Sequence, residues 1–89
     1  MGILALTADE RVITVSFSEA TFSVSLGDGR TITVPLAWYP KLFSASAGQR
    51  RNWQVSSGGY GLHWPDLDED LSTEGLLRGA PAARIPTKT

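Results

Sequence analysis

The chain has 89 residues, a length that predicts one small domain rather than two. Hydrophobic residues make up 42% of it, as in ordinary globular proteins, and a formal net charge of -1 excludes a strong overall attraction to nucleic acid or to anionic membranes. There is no cysteine, which excludes disulfides, thiolate metal sites and a cysteine nucleophile. Because the sequence also has no signal-peptide pattern and no long apolar run, we expect a cytoplasmic protein without a membrane partner.

The chain divides where apolar residues begin and cease to alternate or recur. Residues 1–10 are expected to form an N-terminal arm, and residues 11–80 are expected to fold as a single α+β domain. Residues 81–89 contain two prolines and few apolar side chains, a composition that is typical of a flexible tail.

Three short strands are predicted between residues 12 and 34, where apolar and polar side chains alternate. In the first strand, Ile13, Val15 and Phe17 alternate with polar or smaller side chains. We therefore expect these three residues to form its inner face, with the opposite face exposed to water.

The pairing of these strands is also predictable, because cross-strand partners share one face of a sheet. The alternation places Val24 opposite Val15 on one side and opposite Ile32 on the other. The second pairing requires a three-residue loop at residues 27–29, with Gly29 in the left-handed region and forming a bulge.

A helical region is predicted after the third strand, where apolar residues recur at three- and four-residue spacing. Pro40 should mark the start of the first helix, since proline is tolerated in the first turn. The run that begins at Ser46 fits a capping box and predicts a second short helix that ends at Arg51. The aromatic residues of this region, including Phe43, are predicted to cover the sheet as part of the core.

Residues 53–64 predict a second hairpin, in which Gly58 and Gly59 form a two-residue turn and Val55 lies opposite Leu62. This register follows because it places apolar side chains on one face and polar side chains on the other.

A final short helix is predicted to follow a cap at Ser72 and to end at Gly79. The resulting order of elements, β-β-β-α-β-β-α, describes a small α+β domain with one antiparallel sheet. Trp38, Trp53 and Trp64 are all predicted to be core side chains.

His63 is the only histidine, and the second hairpin places it on the polar face opposite Gln54. A general base needs a nucleophile or a substrate proton within hydrogen-bond reach, and no serine lies in a nucleophile elbow. The glycines around residue 59 precede a strand rather than a helix, so they do not form a phosphate-binding loop. We therefore predict that the protein is not an enzyme, has no catalytic residues and needs no cofactor.

The most unusual stretch is acidic, with five acids and no base between residues 66 and 74. Asp66, Asp68 and Asp70 have the first spacings of a calcium loop, but Leu71 occupies the position that requires glycine. No metal site is therefore predicted.

Two interpretations of the acidic stretch remain open. Negative charge near a helix N-terminus is favourable, which explains Asp70 and Glu74 but gives no role to Asp66, Asp68 and Glu69. These three are either a solvated turn or a partner-facing surface that attracts and orients a basic protein. The leading predicted function is accordingly a non-enzymatic protein-interaction module.

A basic middle segment supports an alternative function. No acid occurs between residues 30 and 65, and the basic residues in that segment are Arg30, Lys41, Arg50 and Arg51. If these side chains contact phosphates, the protein is a nucleic-acid-associated regulator whose binding weakens steeply with salt.

Several segments also carry a family resemblance. They are residues 59–72 (GYGLHWPDLDEDLS) with 74–77 (EGLL), residues 35–42 (PLAWYPKL) with 51–53 (RNW), and residues 28–30 (DGR). Together they resemble the closing motif, the middle segment and a hairpin of the domain of unknown function 2442 family, over about residues 11–80.

The resemblance implies a small bacterial α+β domain and no established activity, so no catalytic or ligand-binding residues carry over. It also implies an association with two-gene modules, some of which include a small toxin, and with relatives that carry a helix-turn-helix domain. By this association alone, the expected protein partner is a small basic toxin and the expected role is antitoxin-like.

Overall fold

Six short strands and three α-helices are formed along residues 7–79, the part of the chain that the computed structural model describes. They are β1 (Val12–Phe17), β2 (Thr21–Leu26), β3 (Thr31–Pro35), α1 (Pro40–Phe43), α2 (Ala47–Arg51), β4 (Gln54–Ser56), β5 (Gly61–Trp64), β6 (Glu69–Ser72) and α3 (Thr73–Arg78). The predicted α+β class and order of elements are confirmed, with β6 as an additional strand. The predicted tail, residues 81–89, and most of the predicted arm lie outside the described residues.

The first sheet has the antiparallel order β1-β2-β3, and its register is the predicted one. Val24 lies opposite Val15 on β1 and opposite Ile32 on β3. In the loop between β2 and β3, the N–H of Gly29 donates to the carbonyl of Leu26 (3.1 Å), and Gly29 has a φ of 97°. The prediction of a left-handed Gly29 is therefore confirmed.

The inner face of β1 differs from the prediction at its first residues. The register shifts between Val12 and Thr14, which leaves Ile13 as the extra residue of a β-bulge. Val12 is consequently turned inward and is 8% exposed, whereas Ile13 is 61% exposed. A bulge redirects the side chains that precede it, and this one reverses the alternation from which Ile13 was predicted to face inward.

The remaining strands form a second antiparallel sheet, β4-β5-β6, so the prediction of a single sheet is wrong. Val55 lies opposite Leu62 as predicted. The N–H of Tyr60 donates to the carbonyl of Ser57 (3.2 Å) across Gly58 and Gly59, whose φ angles of 65° and 106° suit a two-residue hairpin turn.

Strand β6 was not predicted because acidic residues have low β-propensity and the segment carries two of them. It forms because a turn at residues 65–68 brings residues 69–72 back against β5. There Leu71 lies opposite Leu62, and both side chains pack against the core.

The predicted helix boundaries are confirmed. Pro40 occupies the first turn of α1, and Ser46 forms a capping box with Gln49 at the start of α2. The hydroxyl of Ser72 accepts a hydrogen bond from the N–H of Gly75 (3.0 Å) at the start of α3. Gly79 ends α3 with a φ of 76°.

The core lies between the two sheets and the helical segment, and its largest fully buried side chain is Trp64. The ring of Trp64 meets Phe22 edge to face at 6.3 Å, and its Nε1 donates to the carbonyl of Arg50 (3.0 Å). The other two tryptophans are half-buried and pack against this core. Phe43 is 57% exposed rather than core, because α1 is a single turn and Phe43 is its last residue.

Candidate functional site

The acidic stretch begins as a turn between β5 and β6. The N–H of Leu67 donates to the carbonyl of Trp64 (3.1 Å), and the Leu67 side chain packs against the core. Asp66 is exposed and accepts a hydrogen bond from Nδ2 of Asn52 (3.0 Å), while Asp68 is exposed in a left-handed conformation with a φ of 52°. The structure thus displays Asp66 and Asp68 on an anchored turn, and their role in partner binding stays a prediction.

Glu69 does not belong to this exposed surface, which corrects the prediction that it faces a partner. It is the first residue of β6, lies opposite Trp64 and is 8% exposed. Nζ of Lys41 lies 3.8 Å from its Oε1 and also donates to the carbonyl of Asp68 (2.9 Å). Burial raises the pKa of Glu69 because the charged carboxylate loses solvation, and Lys41 opposes this change.

His63 and Asp70 form a pair on the outer face of the second sheet. Gln54, His63 and Asp70 lie side by side across β4, β5 and β6, which confirms the predicted position of His63 opposite Gln54. The Nδ1 of His63 lies 2.8 Å from Oδ1 of Asp70. Within residues 7–79 this is the only hydrogen bond to the ring.

Three of the four basic residues form ion pairs or hydrogen bonds with other residues of the domain. Arg30 pairs with Asp28 at 2.7 Å, and Lys41 pairs with Glu69 at 3.8 Å. Arg50 donates to two main-chain carbonyls at the end of α1, both at 2.9 Å. The Arg51 side chain is exposed and makes no hydrogen bond or ion pair in the described part of the chain. The cations predicted to bind nucleic acid are therefore mostly used for internal contacts.

A groove of about 490 Å³ runs between the end of β1 and α2. Residues 15–19 form one side of this groove, and Ala47, Arg50, Arg51 and Trp53 form the other. Its volume is within the range of about 300–1,000 Å³ that is usual for ligand pockets in proteins.

The groove has an aromatic wall and a fixed cation. The guanidinium carbon of Arg50 lies 5.6 Å from the ring centroid of Phe17, within the range of a cation–π contact. Phe17 also stacks on the buried Phe22, with ring centroids 5.5 Å apart. Because Arg50 is held by main-chain carbonyls, the free cation of the groove is Arg51, and Glu19 is its single acid. The groove can therefore accept an apolar side chain next to an acidic one.

Sequence reasoning did not identify this groove. In the sequence, Arg50 and Arg51 are visible only as members of a basic set, and Phe17 only as a strand residue. The two sides of the groove are about 30 residues apart in sequence, so no local spacing joins them.

A second cavity, also about 490 Å³, lies beside α3 and is lined by hydroxyl and acidic side chains, among them Glu10 and Glu74. One of its hydroxyls, that of Ser72, already caps α3. Across residues 7–79, no group of three or more histidine, cysteine or acidic side chains could hold a metal ion. No helix in this part of the chain is long and apolar enough to cross a membrane.

A comparison with protein families shows which family this chain belongs to. The model described as "Protein of unknown function (DUF2442)" matches residues 12–82, which include both sheets and the groove. The chain belongs to this family. The resemblance to the DUF2442 family predicted from the sequence is therefore confirmed.

Two solved structures resemble this DUF2442 domain. The first is a protein of unknown function from Rhodospirillum rubrum, with 33% sequence identity, a TM-score of 0.70, and coverage of 83% of this chain and 92% of that chain. The second is an uncharacterized protein from Chromobacterium violaceum, with 24% identity, a TM-score of 0.70, and coverage of 82% and 69%. The second likeness concerns the fold alone. No curated protein matches the chain.

Proposed function

We propose that this DUF2442 domain is a non-enzymatic protein-interaction module and that the groove beside β1 is its contact surface. The observation that carries the proposal is the course of the groove along β1. Val15, Ser16 and Phe17 at the end of β1 line it consecutively, although successive side chains of a strand point to opposite faces. The groove therefore follows the edge of the strand rather than one of its faces. A strand edge offers unpaired main-chain donors and acceptors, which proteins use to bind other polypeptides.

The charge distribution favours a protein partner over nucleic acid. Nucleic-acid binding depends on several cations that are free to contact phosphates. Arg30, Lys41 and Arg50 are engaged within the domain, and Arg51 is left as a single free cation beside the groove. One guanidinium suits recognition of a carboxylate better than the tracking of a phosphate backbone.

A toxin is the specific partner that we propose to test first, because the family resemblance implies an association with two-gene modules. The exposed Asp66 and Asp68 support a basic partner, since such charges speed encounter and help to fix orientation. In this form of the proposal, the acidic turn attracts the partner and the groove holds it.

The test is a titration of the purified domain with the purified product of the neighbouring gene. Ala47 is exposed and lines the groove, so Ala47→Trp fills the groove without changing the core. Ala37 is exposed outside the groove, and Ala37→Trp is the matched control. We expect Ala47→Trp to weaken binding by about tenfold or more and Ala37→Trp to leave it unchanged. Equal binding by the two variants would show that the groove is not the contact surface. If the wild-type domain does not bind, the proposed toxin partner is wrong.

A further inference from the structure

The hydrogen-bonding phase of β1 determines which of its main-chain groups face the groove. The N–H of Ser18 donates to the carbonyl of Thr21 (2.9 Å), which makes this the first bonded pair of the hairpin. Bonded and non-bonded pairs alternate along an antiparallel ladder, so Ser16 bonds to β2, whereas Val15 and Phe17 do not. The N–H and carbonyl groups of Val15 and Phe17 therefore point to the open edge.

The pairing of β2 with β3 independently indicates the same alternation of bonded and non-bonded residues. The N–H of Leu26 donates to the carbonyl of Arg30 (2.8 Å), so Leu26 bonds to β3 and, by alternation, so does Val24. Ser25, which lies between them on β2, then bonds to β1, in agreement with the alternation found in the first hairpin. Within residues 7–79, no group outside the sheet accepts a hydrogen bond from the N–H of Val15 or Phe17.

The side of the groove opposite β1 supplies side chains that can contact a bound segment next to Val15 and Phe17. Arg50 is fixed over the ring of Phe17, and Trp53 contributes a half-buried aromatic side chain. A strand added to a sheet lies about 4.7–4.9 Å from its neighbour, so a peptide paired with β1 would occupy this groove. Its alternate side chains would then meet the aromatic wall, and one of them would reach Arg51.

We infer that the groove binds an extended segment of a protein partner, which adds a strand to β1 by hydrogen bonding to Val15 and Phe17 and places a carboxylate against Arg51. This inference rests on the proposed function and specifies the partner's binding segment. Main-chain hydrogen bonds supply the general affinity, and the apolar and acidic side chains supply selectivity. A second copy of this chain and single-stranded RNA are alternative occupants that the test below separates.

The first part of the test is a selection from a displayed library of random 12-residue peptides, with Ala47→Trp as the counter-selection target. We expect the enriched peptides to alternate apolar residues and to contain an acid. We expect Arg51→Glu to weaken their binding by about tenfold or more and Arg51→Lys to retain most of it. The inference is overturned if no peptide is enriched over the counter-selection, or if binding is insensitive to Arg51→Glu.

The second part is amide hydrogen exchange with a selected peptide and with the neighbouring gene product. The amides of Val15 and Phe17 should exchange at least about tenfold more slowly in the complex, while Ser16, already bonded to β2, is the internal control. If Ala47→Trp blocks the gene product but Val15 and Phe17 do not change, strand addition is wrong and the interaction function stands. If neither peptide nor gene product needs the groove, both proposals fail.

The alternative occupants have distinct signatures in the same samples. Protection of Val15 and Phe17 that rises with the concentration of the domain alone, together with dimers in sedimentation, would identify a second copy and overturn the inference. Displacement of the peptide by a single-stranded 12-nucleotide RNA, with a steep salt dependence, would identify nucleic acid and overturn it as well.

Discussion

The carboxylate of Glu69 on β6 lies 3.8 Å from Nζ of Lys41 on α1, and this contact joins the second sheet to the helical segment. Glu69 is the one member of the predicted acidic surface that is buried. Its position follows from strand alternation, which turns Glu69 and Leu71 inward and Asp70 outward. The exposed charge of the acidic stretch is therefore smaller than its composition indicates.

Burial of Glu69 has a consequence for the pH dependence of stability. Its pKa is raised in the folded protein, mainly by desolvation, so the folded state binds the proton more tightly than the unfolded state. The resulting contribution to stability is fully present below the unfolded pKa and is lost as the pH rises through the folded pKa. We expect Glu69→Gln to raise the melting temperature at pH 7 and to change it little near pH 4.

Thermal melts of Lys41→Met provide the control for this prediction. Lys41 stabilises only the charged form of Glu69, so its removal should lower the melting temperature at pH 7 more than near pH 4. A melting temperature of Glu69→Gln that is lower than wild type at pH 7 would contradict the account of Glu69 as a desolvated carboxylate.

Asp28 should show the opposite pH dependence. Hydrogen bonds from the Arg30 side chain and from the main-chain N–H groups of Asp9 and Arg30 hold the pKa of Asp28 well below its usual range. Its contribution to stability is therefore present above the unfolded pKa and is lost as the pH falls through the folded pKa. We expect Asp28→Asn to destabilise the protein at pH 7 and to reduce the loss of stability on acidification below about pH 4.

Acid titrations monitored by circular dichroism measure the loss of stability of wild type and Asp28→Asn directly. Glu74→Gln is the control, because Glu74 is exposed in the first turn of α3 and its one ion pair in residues 7–79 is a surface pair with Arg78 at 3.4 Å. If Asp28→Asn and wild type lose stability equally on acidification, Asp28 does not have the lowered pKa described here.

Trp64 is predicted to be the side chain on which the core depends most. It is fully buried, and its Nε1 donates to the carbonyl of Arg50 on α2. Trp64→Ala should cost about 3–5 kcal/mol in the free energy of unfolding, enough to unfold much of a domain this small. Trp64→Phe keeps an aromatic ring but leaves the Arg50 carbonyl without this donor, and should cost less than Trp64→Ala. Denaturant titrations measure both values, and near-wild-type stability of Trp64→Ala would refute the core role.

The acidic turn gives a kinetic prediction. We expect the double substitution Asp66→Asn and Asp68→Asn to slow association with a basic partner severalfold at low salt and to weaken the salt dependence of the rate. The dissociation rate and the melting temperature should change little, because both side chains are exposed. Stopped-flow or surface-based kinetics provide the measurement, with Glu74→Gln as an exposed acid elsewhere. Unchanged association would leave the turn as a solvated connection.

Much of the fold was predictable from local patterns. The alternation around Val24 is sufficient to define the register of the first sheet, and the caps at Ser46 and Ser72 define where two helices begin. The bulge at Ile13 was not predictable, because it depends on how β1 meets β2 and not on the composition of β1. Strand β6 was missed because its pairing with β5 outweighs the low β-propensity of Glu69 and Asp70.

The candidate site was less predictable than the fold. An acidic cluster is visible in the sequence, but the burial of Glu69 depends on its neighbours in space. The groove depends on the packing of α2 beside β1, which brings Arg51 and Trp53 to a strand edge that lies far away in the chain. Such long-range arrangements leave no signal in residue spacing.

The groove beside β1 is tested as the interaction surface most directly by the indole N–H spectrum of the domain during titration with the neighbouring gene product. Trp53 lines the groove, whereas Trp38 packs outside it near the end of α3. We expect the Trp53 indole signal to shift or broaden on binding while the Trp38 signal stays in place. Binding that moves the Trp38 signal and leaves Trp53 unchanged would contradict the claim that the groove beside β1 is the interaction surface.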